Sequence, residues 1–235
     1  MKPYKNFIVS GCSFTAGIIN PKNVDEWATQ SFAWPHYCFL EMDPENSNFL
    51  NFALPGGGNI AAINNLVYYL ELHKEVNSTN TLVGLNVTGL ERSDIICYPG
   101  HLDANNDVAN QHIKEQLNIG WIHSTTSREY LQQGVVPLTI QSCLCIVQGI
   151  VYLESRGIDY FFMIMTDSVY SDSPLWFKEF LDARRSNWVQ FDNTRGMMEF
   201  VKQHQLTKTN SDFHPSQKGH KILSEHVLTH LNKYE

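Results

Sequence analysis

The feature of this chain that most constrains its fold is the alternation of short apolar runs with longer helical patterns. Asn6 to Ser10, Asn48 to Ala53, Thr81 to Thr88 and Asp159 to Thr166 have the length and composition of buried strands. Trp188 to Phe191 would add a short fifth strand. Strands that alternate with helices predict an α/β fold, in which helices cover both faces of a parallel sheet.

The connecting segments carry the apolar period or the boundary residues of helices. Asn59 is placed as an N-cap, Pro35 falls in a first turn, and Gly157 follows a long apolar pattern and ends it. The predicted helices cover residues 31–42, Asn59 to about Glu75, Val136 to Arg156, 174–186 and Pro215 to Asn232.

One segment, from about residue 89 to 134, is polar and weakly periodic. It is too long for an ordinary connection between elements, so we interpret it as a functional lid or a disordered insert. No repeat, low-complexity tract or Pro/Ser-rich linker divides the rest of the chain. We therefore expect one domain, residues 1–235, with an insertion at about 89–134.

Composition excludes several classes of partner. A formal charge of −7 without a cluster of Lys and Arg argues against nucleic-acid binding. The apolar stretch Phe7 to Val9 is too short for a signal peptide or a membrane span, so we expect a cytoplasmic protein without a membrane partner. The five cysteines have no CxxC or zinc-like spacing, which predicts free thiols. No pattern indicates an oligomeric state.

Chemically useful residues follow the predicted strands. In an open parallel sheet, ligands bind beyond the carboxyl ends of the strands. Gly11 to Thr15, Asn51 to Asn59 and Asn86 to Thr88 lie there, and Ser211 to Ser216 precedes the last helix. Together they supply a hydroxyl, a glycine-rich backbone, a side-chain amide and an Asp/His pair. Acyl transfer through a serine nucleophile needs this set of groups.

These segments resemble the SGNH (GDSL-like) hydrolase family, in particular its phage and bacterial subgroup. Its pattern G-x-S-F-T, W-P, N-x-A-x-P-G-x-x-N and D-x-H-P-S-x-x-G-H is matched by Gly11 to Thr15, Trp34–Pro35, Asn51 to Asn59 and Asp212 to His220. The resemblance implies a three-layer α/β/α sandwich with a flavodoxin-like parallel sheet of about five strands. It also implies hydrolysis of an ester without a metal or cofactor.

Roles carried over from the resemblance concern four matched positions. Ser13 would be the nucleophile, and His214 would be the general base that later protonates the leaving group. Asp212 would hold His214 in the required tautomer. The backbone N–H groups of Ser13 and Gly56 would bind the oxyanion. Apart from the resemblance, Asn59 could cap its helix, contact the substrate, or do both.

The chain departs from the family pattern in two places. Many members have the acid three residues before the histidine, where this chain has Ser211, so Asp167 is an alternative to Asp212. Many also carry Gly-x-Asn-Asp after the third strand. Here Asn86 and Thr88 share one face of that strand, and either could supply a third oxyanion donor; chemistry slightly favours Asn86.

Other interpretations of the same residues are weaker. Cys12 could be a thiol nucleophile, but buried cysteines are usually inert. The glycines at 56–58 lack the lysine and the spacing of a phosphate-binding loop. His220, His226 and His230 have no carboxylate or cysteine to complete a metal site, so we expect them on a solvated helix surface.

The sequence therefore predicts a serine esterase or acylhydrolase acting on a small-molecule or glycan ester, with a carbohydrate O-acetyl group as one specialisation. Two alternatives remain open. The departures from the family pattern are compatible with a non-catalytic binding or structural module that keeps the fold. An acyltransferase would use the same covalent intermediate.

Overall fold

A parallel sheet forms the centre of the computed structural model, which describes residues 2–17, 33–76, 79–92, 94–97, 120–123, 135–209 and 211–233. The strands are β1 (Asn6–Ser10), β2 (Asn48–Asn51), β3 (Thr81–Val87), β4 (Asp94–Cys97), β5 (Gly120–His123) and β6 (Asp159–Ile164). The main sheet has the order β2-β1-β3-β6, and each neighbouring pair is parallel. This is the flavodoxin-like order that the sequence resemblance implies.

Helices connect the strands and cover the sheet. They are α1 (Ser13–Ala16), α2 (Trp34–Leu40), α3 (Asn59–Leu72), α4 (Val135–Ser155), α5 (Ser168–Ser171), α6 (Leu175–Asp182), α7 (Met197–Gln203) and α8 (Gln217–Lys233). A short 3₁₀ helix spans Arg185–Asn187. The long predicted helices are confirmed within a few residues at each end, whereas α1, α5 and α7 were not predicted.

Two hydrophobic clusters show that the fold has three layers. On one face, Val83, Leu85 and Phe162 of the sheet pack with side chains of α3, α4 and α6. On the other face, Phe7 and Phe161 pack with side chains of α1, α2, α7 and α8. β1, β3 and β6 are buried on both faces, as expected for a parallel sheet between helices, whereas the edge strand β2 is buried only at Asn51. The predicted α/β/α sandwich is confirmed.

The structure corrects two expectations about strands. Residues 188–191 do not form a regular fifth strand: Trp188 makes one isolated parallel bridge to Phe162 at the edge of β6, and Gly196 makes another to Ile164. Within the predicted insertion, β4 and β5 pair antiparallel as a separate two-stranded sheet. Most of residues 98–134 lies outside the described residues, so the interpretation as a lid stays a prediction.

Among the described residues, one helical segment, Leu138–Ser155, is long and apolar enough to cross a membrane. The same segment supplies Cys143, Ile146, Ile150 and Leu153 to the hydrophobic core. Ile140, Leu144 and Val151 of the same helix are exposed, so packing against α3 and the sheet accounts for part of its apolar character.

Gly149 allows α3 and α4 to approach each other closely. A Cβ atom built at Gly149 would lie 2.6 Å from Cγ2 and 2.7 Å from Cδ1 of Ile63. Alanine normally stabilises a helix interior by about 1 kcal/mol relative to glycine. At this buried contact the overpacking outweighs that gain.

We expect Gly149→Ala to lower the free energy of unfolding by about 1–3 kcal/mol in urea titrations, because Ile63 must shift within a packed core. Gln148→Ala, at the neighbouring exposed position, is the control and should change stability by less than about 0.5 kcal/mol. Combining Gly149→Ala with Ile63→Ala should cost less than the sum of the two single changes. Additive costs would contradict the contact.

Candidate active site

Ser13 lies at the junction between the central strand and the first helix. β1 ends at Ser10, Cys12 has extended backbone at the N-cap, and Ser13 is the first residue of α1. Gly11 makes this turn possible, because a Cβ atom there would lie 2.8 Å from Cβ of Asn86 and 2.7 Å from Oγ1 of Thr15. The serine is buried at the carboxyl edge of the sheet, where the sequence predicts it.

The structure brings His214 to Ser13 although 201 positions separate them in the chain. Nε2 of His214 lies 2.8 Å from Oγ of Ser13. The segment before α8 holds the histidine in place, because the backbone N–H of Lys208 donates to the His214 carbonyl oxygen and Thr207 bridges to Pro215. The ring of Phe14 packs against the imidazole, with centroids 5.0 Å apart.

Asp212 contacts the other side of the same imidazole. Its Oδ1 lies 2.6 Å from Nδ1 of His214 and also accepts a hydrogen bond from the His214 backbone N–H at 3.0 Å. An aspartate that binds the backbone two residues later forms an Asx turn. The turn explains how an acid two positions before the histidine, rather than three, reaches its ring. The residue three positions before the histidine, Ser211, has its Oγ 3.2 Å from Oγ1 of Thr209.

Charge and hydrogen bonding favour an ionised Asp212. Burial raises the pKa of this carboxyl, but the hydrogen bonds from the backbone and the ring of His214 outweigh burial and leave the pKa below its usual value. With the imidazole proton on Nδ1, Nε2 is an acceptor for the Ser13 hydroxyl. The three groups thus form a continuous hydrogen-bonded chain.

The alternative acid, Asp167, is held elsewhere. Its Oδ1 accepts hydrogen bonds from the backbone N–H groups of Arg195 at 2.9 Å and Gly196 at 2.5 Å. It therefore stabilises the turn that leads into α7. Of the two candidate acids, Asp212 is the one that contacts His214.

The glycine-rich loop after β2 lies beside the serine turn. The backbone N–H of Leu54 donates to the carbonyl oxygen of Gly11 at 2.9 Å, which fixes the loop against that turn. The backbone N–H of Gly57 donates to the carbonyl oxygen of Leu54, and Gly56 has a φ of +78°. Pro55 and Gly56 thus occupy the central positions of a type II turn, where a positive φ requires glycine. Within the described ranges, the N–H groups of Ser13 and Gly56 have no hydrogen-bond acceptor.

The two candidates for a third donor lie at the end of β3 and are both buried. Nδ2 of Asn86 donates to Oγ1 of Thr15 at 2.9 Å, so one of its two amide protons already has a partner. Oδ1 of Asn86 and Oγ1 of Thr88 have no hydrogen-bond partner in the described part of the chain. The choice between Asn86 and Thr88 stays a prediction.

Asn59 differs from its expected role as a helix cap. Gly58 is the N-cap of α3, and the Asn59 side chain bonds the backbone beyond β3 instead. Its Oδ1 accepts from the Thr88 N–H at 2.8 Å, and its Nδ2 donates to the Thr88 carbonyl oxygen at 3.2 Å. Asn59 therefore connects the glycine-rich loop to the end of β3.

Cys12 has the environment of an inert thiol. It is fully buried, and its Sγ lies 3.6 Å from Sδ of Met165. Burial raises the pKa of the Cys12 thiol, which disfavours the nucleophilic thiolate.

The prediction that His220 lies on a solvated helix surface is wrong. His220 is 1% exposed, and its Nδ1 accepts a hydrogen bond at 3.2 Å from the backbone N–H of Trp34 at the start of α2. The side chain thus connects α8 to α2 behind the site. His226 and His230 are partly buried. Among the residues that the structure describes, no cluster of His, Cys, Asp and Glu could hold a metal ion.

Arg92 also reaches this region and was not singled out from the sequence. Its Nη1 donates to the Gly57 carbonyl oxygen at 3.0 Å, and its Nη2 lies 3.9 Å from Sδ of Met165. Arg92 lies at the start of the segment interpreted as an insertion, where no periodicity marks individual residues. Its position five residues after β3, at the carboxyl edge of the sheet, was the available signal.

Comparisons with known proteins support the fold. No protein-family model and no curated protein matches the chain. Among solved structures, an inhibited psychrotrophic esterase from Pseudoalteromonas is 14% identical, with 98% of each chain covered and a TM-score of 0.50. A member of the lipolytic G-D-S-L family from Veillonella parvula is 16% identical, with 95% of this chain and 96% of that one covered and a TM-score of 0.48. The likeness to the Pseudoalteromonas esterase shows that this chain shares the fold of that protein.

The burial of His220 predicts a pH-dependent stability. Burial lowers the pKa of His220 to about 3, and the positive charges of Lys208 and His214 contribute in the same direction. The unfolded chain takes up this proton near pH 6.5, so between about pH 6.5 and 3 the unfolded state binds more protons than the folded state. The contribution of neutral His220 to the free energy of unfolding is fully present above about pH 6.5, and it is lost as the pH falls toward 3.

We expect the free energy of unfolding to drop by about 2 kcal/mol more between pH 8 and pH 5 in the wild type than in His220→Gln. Glutamine can still accept the Trp34 hydrogen bond but does not titrate. Urea titrations at the two pH values measure the difference. If the free energy of unfolding drops equally between pH 8 and pH 5 in the two proteins, His220 is not buried in its neutral form.

Proposed function

We propose that this protein is a serine esterase of the SGNH type, with Ser13 as nucleophile, His214 as general base and Asp212 as the orienting acid. The observation that carries the proposal is the hydrogen-bonded chain from Asp212 through His214 to Ser13, with distances of 2.6 and 2.8 Å. These are the contacts that a nucleophile, its base and an orienting group require. The fold shared with an esterase is consistent with this assignment.

In the proposed reaction, Oγ of Ser13 attacks the ester carbonyl carbon while its proton passes to Nε2 of His214. The tetrahedral intermediate then collapses, and His214 gives the proton to the departing alcohol. A water molecule, deprotonated by His214, releases the acyl group from Ser13. Asp212 keeps the ring in the Nδ1–H tautomer and stabilises the imidazolium between these steps.

The oxyanion of the intermediate would be bound by the backbone N–H groups of Ser13 and Gly56. Both belong to turns that the fold holds together through the hydrogen bond from Leu54 to Gly11. Donors that are preorganised in this way stabilise developing charge without reorganising during the reaction. Asn86 or Thr88 would supply a third donor.

The first test uses p-nitrophenyl acetate and acetylated oligosaccharides. We expect Ser13→Ala and His214→Ala each to lower kcat/KM by at least about 10³-fold, because each removes a group that forms or breaks the covalent bond. A fluorophosphonate probe should label Ser13 in the wild type and in neither variant. Turnover that survives both substitutions would overturn the serine mechanism, and acyl transfer to added alcohols would identify an acyltransferase.

The second test separates the two candidate acids. Asp212→Asn should lower kcat by about 10³- to 10⁴-fold, because an amide favours the wrong imidazole tautomer. Asp167→Asn is the matched control: its remaining oxygen can still accept from Arg195 and Gly196, so activity should stay within about twofold. The opposite ranking of the two variants would assign the acid to Asp167.

A further inference from the structure

The guanidinium of Arg92 contacts the glycine-rich loop and is separated from the serine turn by one side chain, that of Met165. On one side it donates to the carbonyl oxygen of Gly57, next to the proposed donor Gly56. On the other side it contacts Sδ of Met165, which in turn contacts Sγ of Cys12, the residue before the proposed nucleophile. A positive charge therefore lies within a few side-chain contacts of the reacting groups.

This charge has no acidic partner among the described residues. Arg156, Arg184 and Arg185 each pair with a carboxylate within 3.3 Å. Arg92 is also partly buried, yet its contacts are a neutral carbonyl and a thioether. A partly desolvated charge is costly unless an opposite charge compensates it. Beside a proposed active site, a substrate can supply that charge.

We propose that Arg92 binds a carboxylate group of the substrate, so that the protein acts preferentially on anionic esters. The inference rests on the proposed esterase function and adds the substrate class. A guanidinium has five N–H donors in a planar fork that matches a carboxylate, and the contacts within the protein use two of them. Because the protein carries a net charge of −7, its overall field does not attract anions, and the attraction depends on this local group.

The experiment compares matched neutral and anionic esters. One pair, p-nitrophenyl hydrogen succinate and methyl p-nitrophenyl succinate, places the carboxylate on the acyl side. The other pair, m-acetoxybenzoate and its methyl ester, places it on the alcohol side. For each pair, the ratio of kcat/KM for the anionic and the neutral ester measures the preference for charge.

We expect the wild type to prefer the anionic member of one pair, and the preferred pair identifies the side of the ester that Arg92 binds. Arg92→Gln keeps a donor for Gly57 but removes the charge, so it should lower the ratio about tenfold. Arg92→Lys should lower the ratio less, and added salt should reduce the wild-type ratio. Arg156→Gln removes a charge of similar exposure at a remote ion pair and should leave the ratio unchanged.

A ratio that Arg92→Gln leaves unchanged would overturn the proposal. If kcat/KM falls equally for both members of each pair, the ratio is unchanged and Arg92 only positions the loop. Calorimetric titration of Ser13→Ala with monomethyl succinate and dimethyl succinate tests binding without turnover. Binding of the anion that is lost on adding Arg92→Gln supports the carboxylate site even if no ester is cleaved. In that case the esterase proposal fails by itself.

Discussion

The position of β1 between β2 and β3 is the constraint on which the candidate site depends. Both neighbours are parallel to β1, with Val9 opposite Asn51 and Ser10 opposite Leu85. Strands that run parallel end at the same edge, so the segments that follow them meet there. This geometry brings together the serine turn, the glycine-rich loop and the end of β3, although these segments are far apart along the chain. The segment before α8 then needs to add only the Asp/His pair.

Buried amide side chains hold the converging loops. Asn51 donates to the carbonyl oxygen of Thr15, Asn59 bonds both backbone groups of Thr88, and Asn86 donates to the Thr15 hydroxyl. A buried polar group is costly unless it is hydrogen-bonded, so each pairing favours one arrangement of the loops. The buried acceptor atoms that stay unpaired within the described ranges include those of Asn86 and Thr88, at the end of β3. Unsatisfied buried atoms need an explanation, and a position beside the proposed substrate site would supply one.

The sequence predicted the four strands of the main sheet and the long helices, because period and punctuation act over short distances. The expectation that His214 acts on Ser13, 201 positions away, came from the order of motifs in the family resemblance. The sequence did not predict contacts that depend on three-dimensional packing. His220 has Leu223 and Val227 three and seven positions later, and this spacing could have placed it on the buried face of α8. Its polarity favoured the opposite interpretation. Asn59 follows three glycines, so its helix begins one residue earlier than its cap propensity suggests. Arg92 lies in a segment without period, and only the fold shows what it contacts.

Exposure within the site bears on how the proposed chemistry would work. Ser13 is buried, but the side chains of His214 and Asp212 are 33% and 42% exposed. Water screens a charge pair at this exposure, so the attraction between Asp212 and a protonated His214 is modest before a substrate binds. A substrate that covers the imidazole would displace this water and strengthen both the Asp212–His214 interaction and the field of Arg92. Burying these charges is favourable only if the incoming group balances them, and a carboxylate next to Arg92 would do so. The low dielectric that makes Arg92, without an acidic partner in the described part of the chain, costly in the free protein would then strengthen its attraction to an anionic ester.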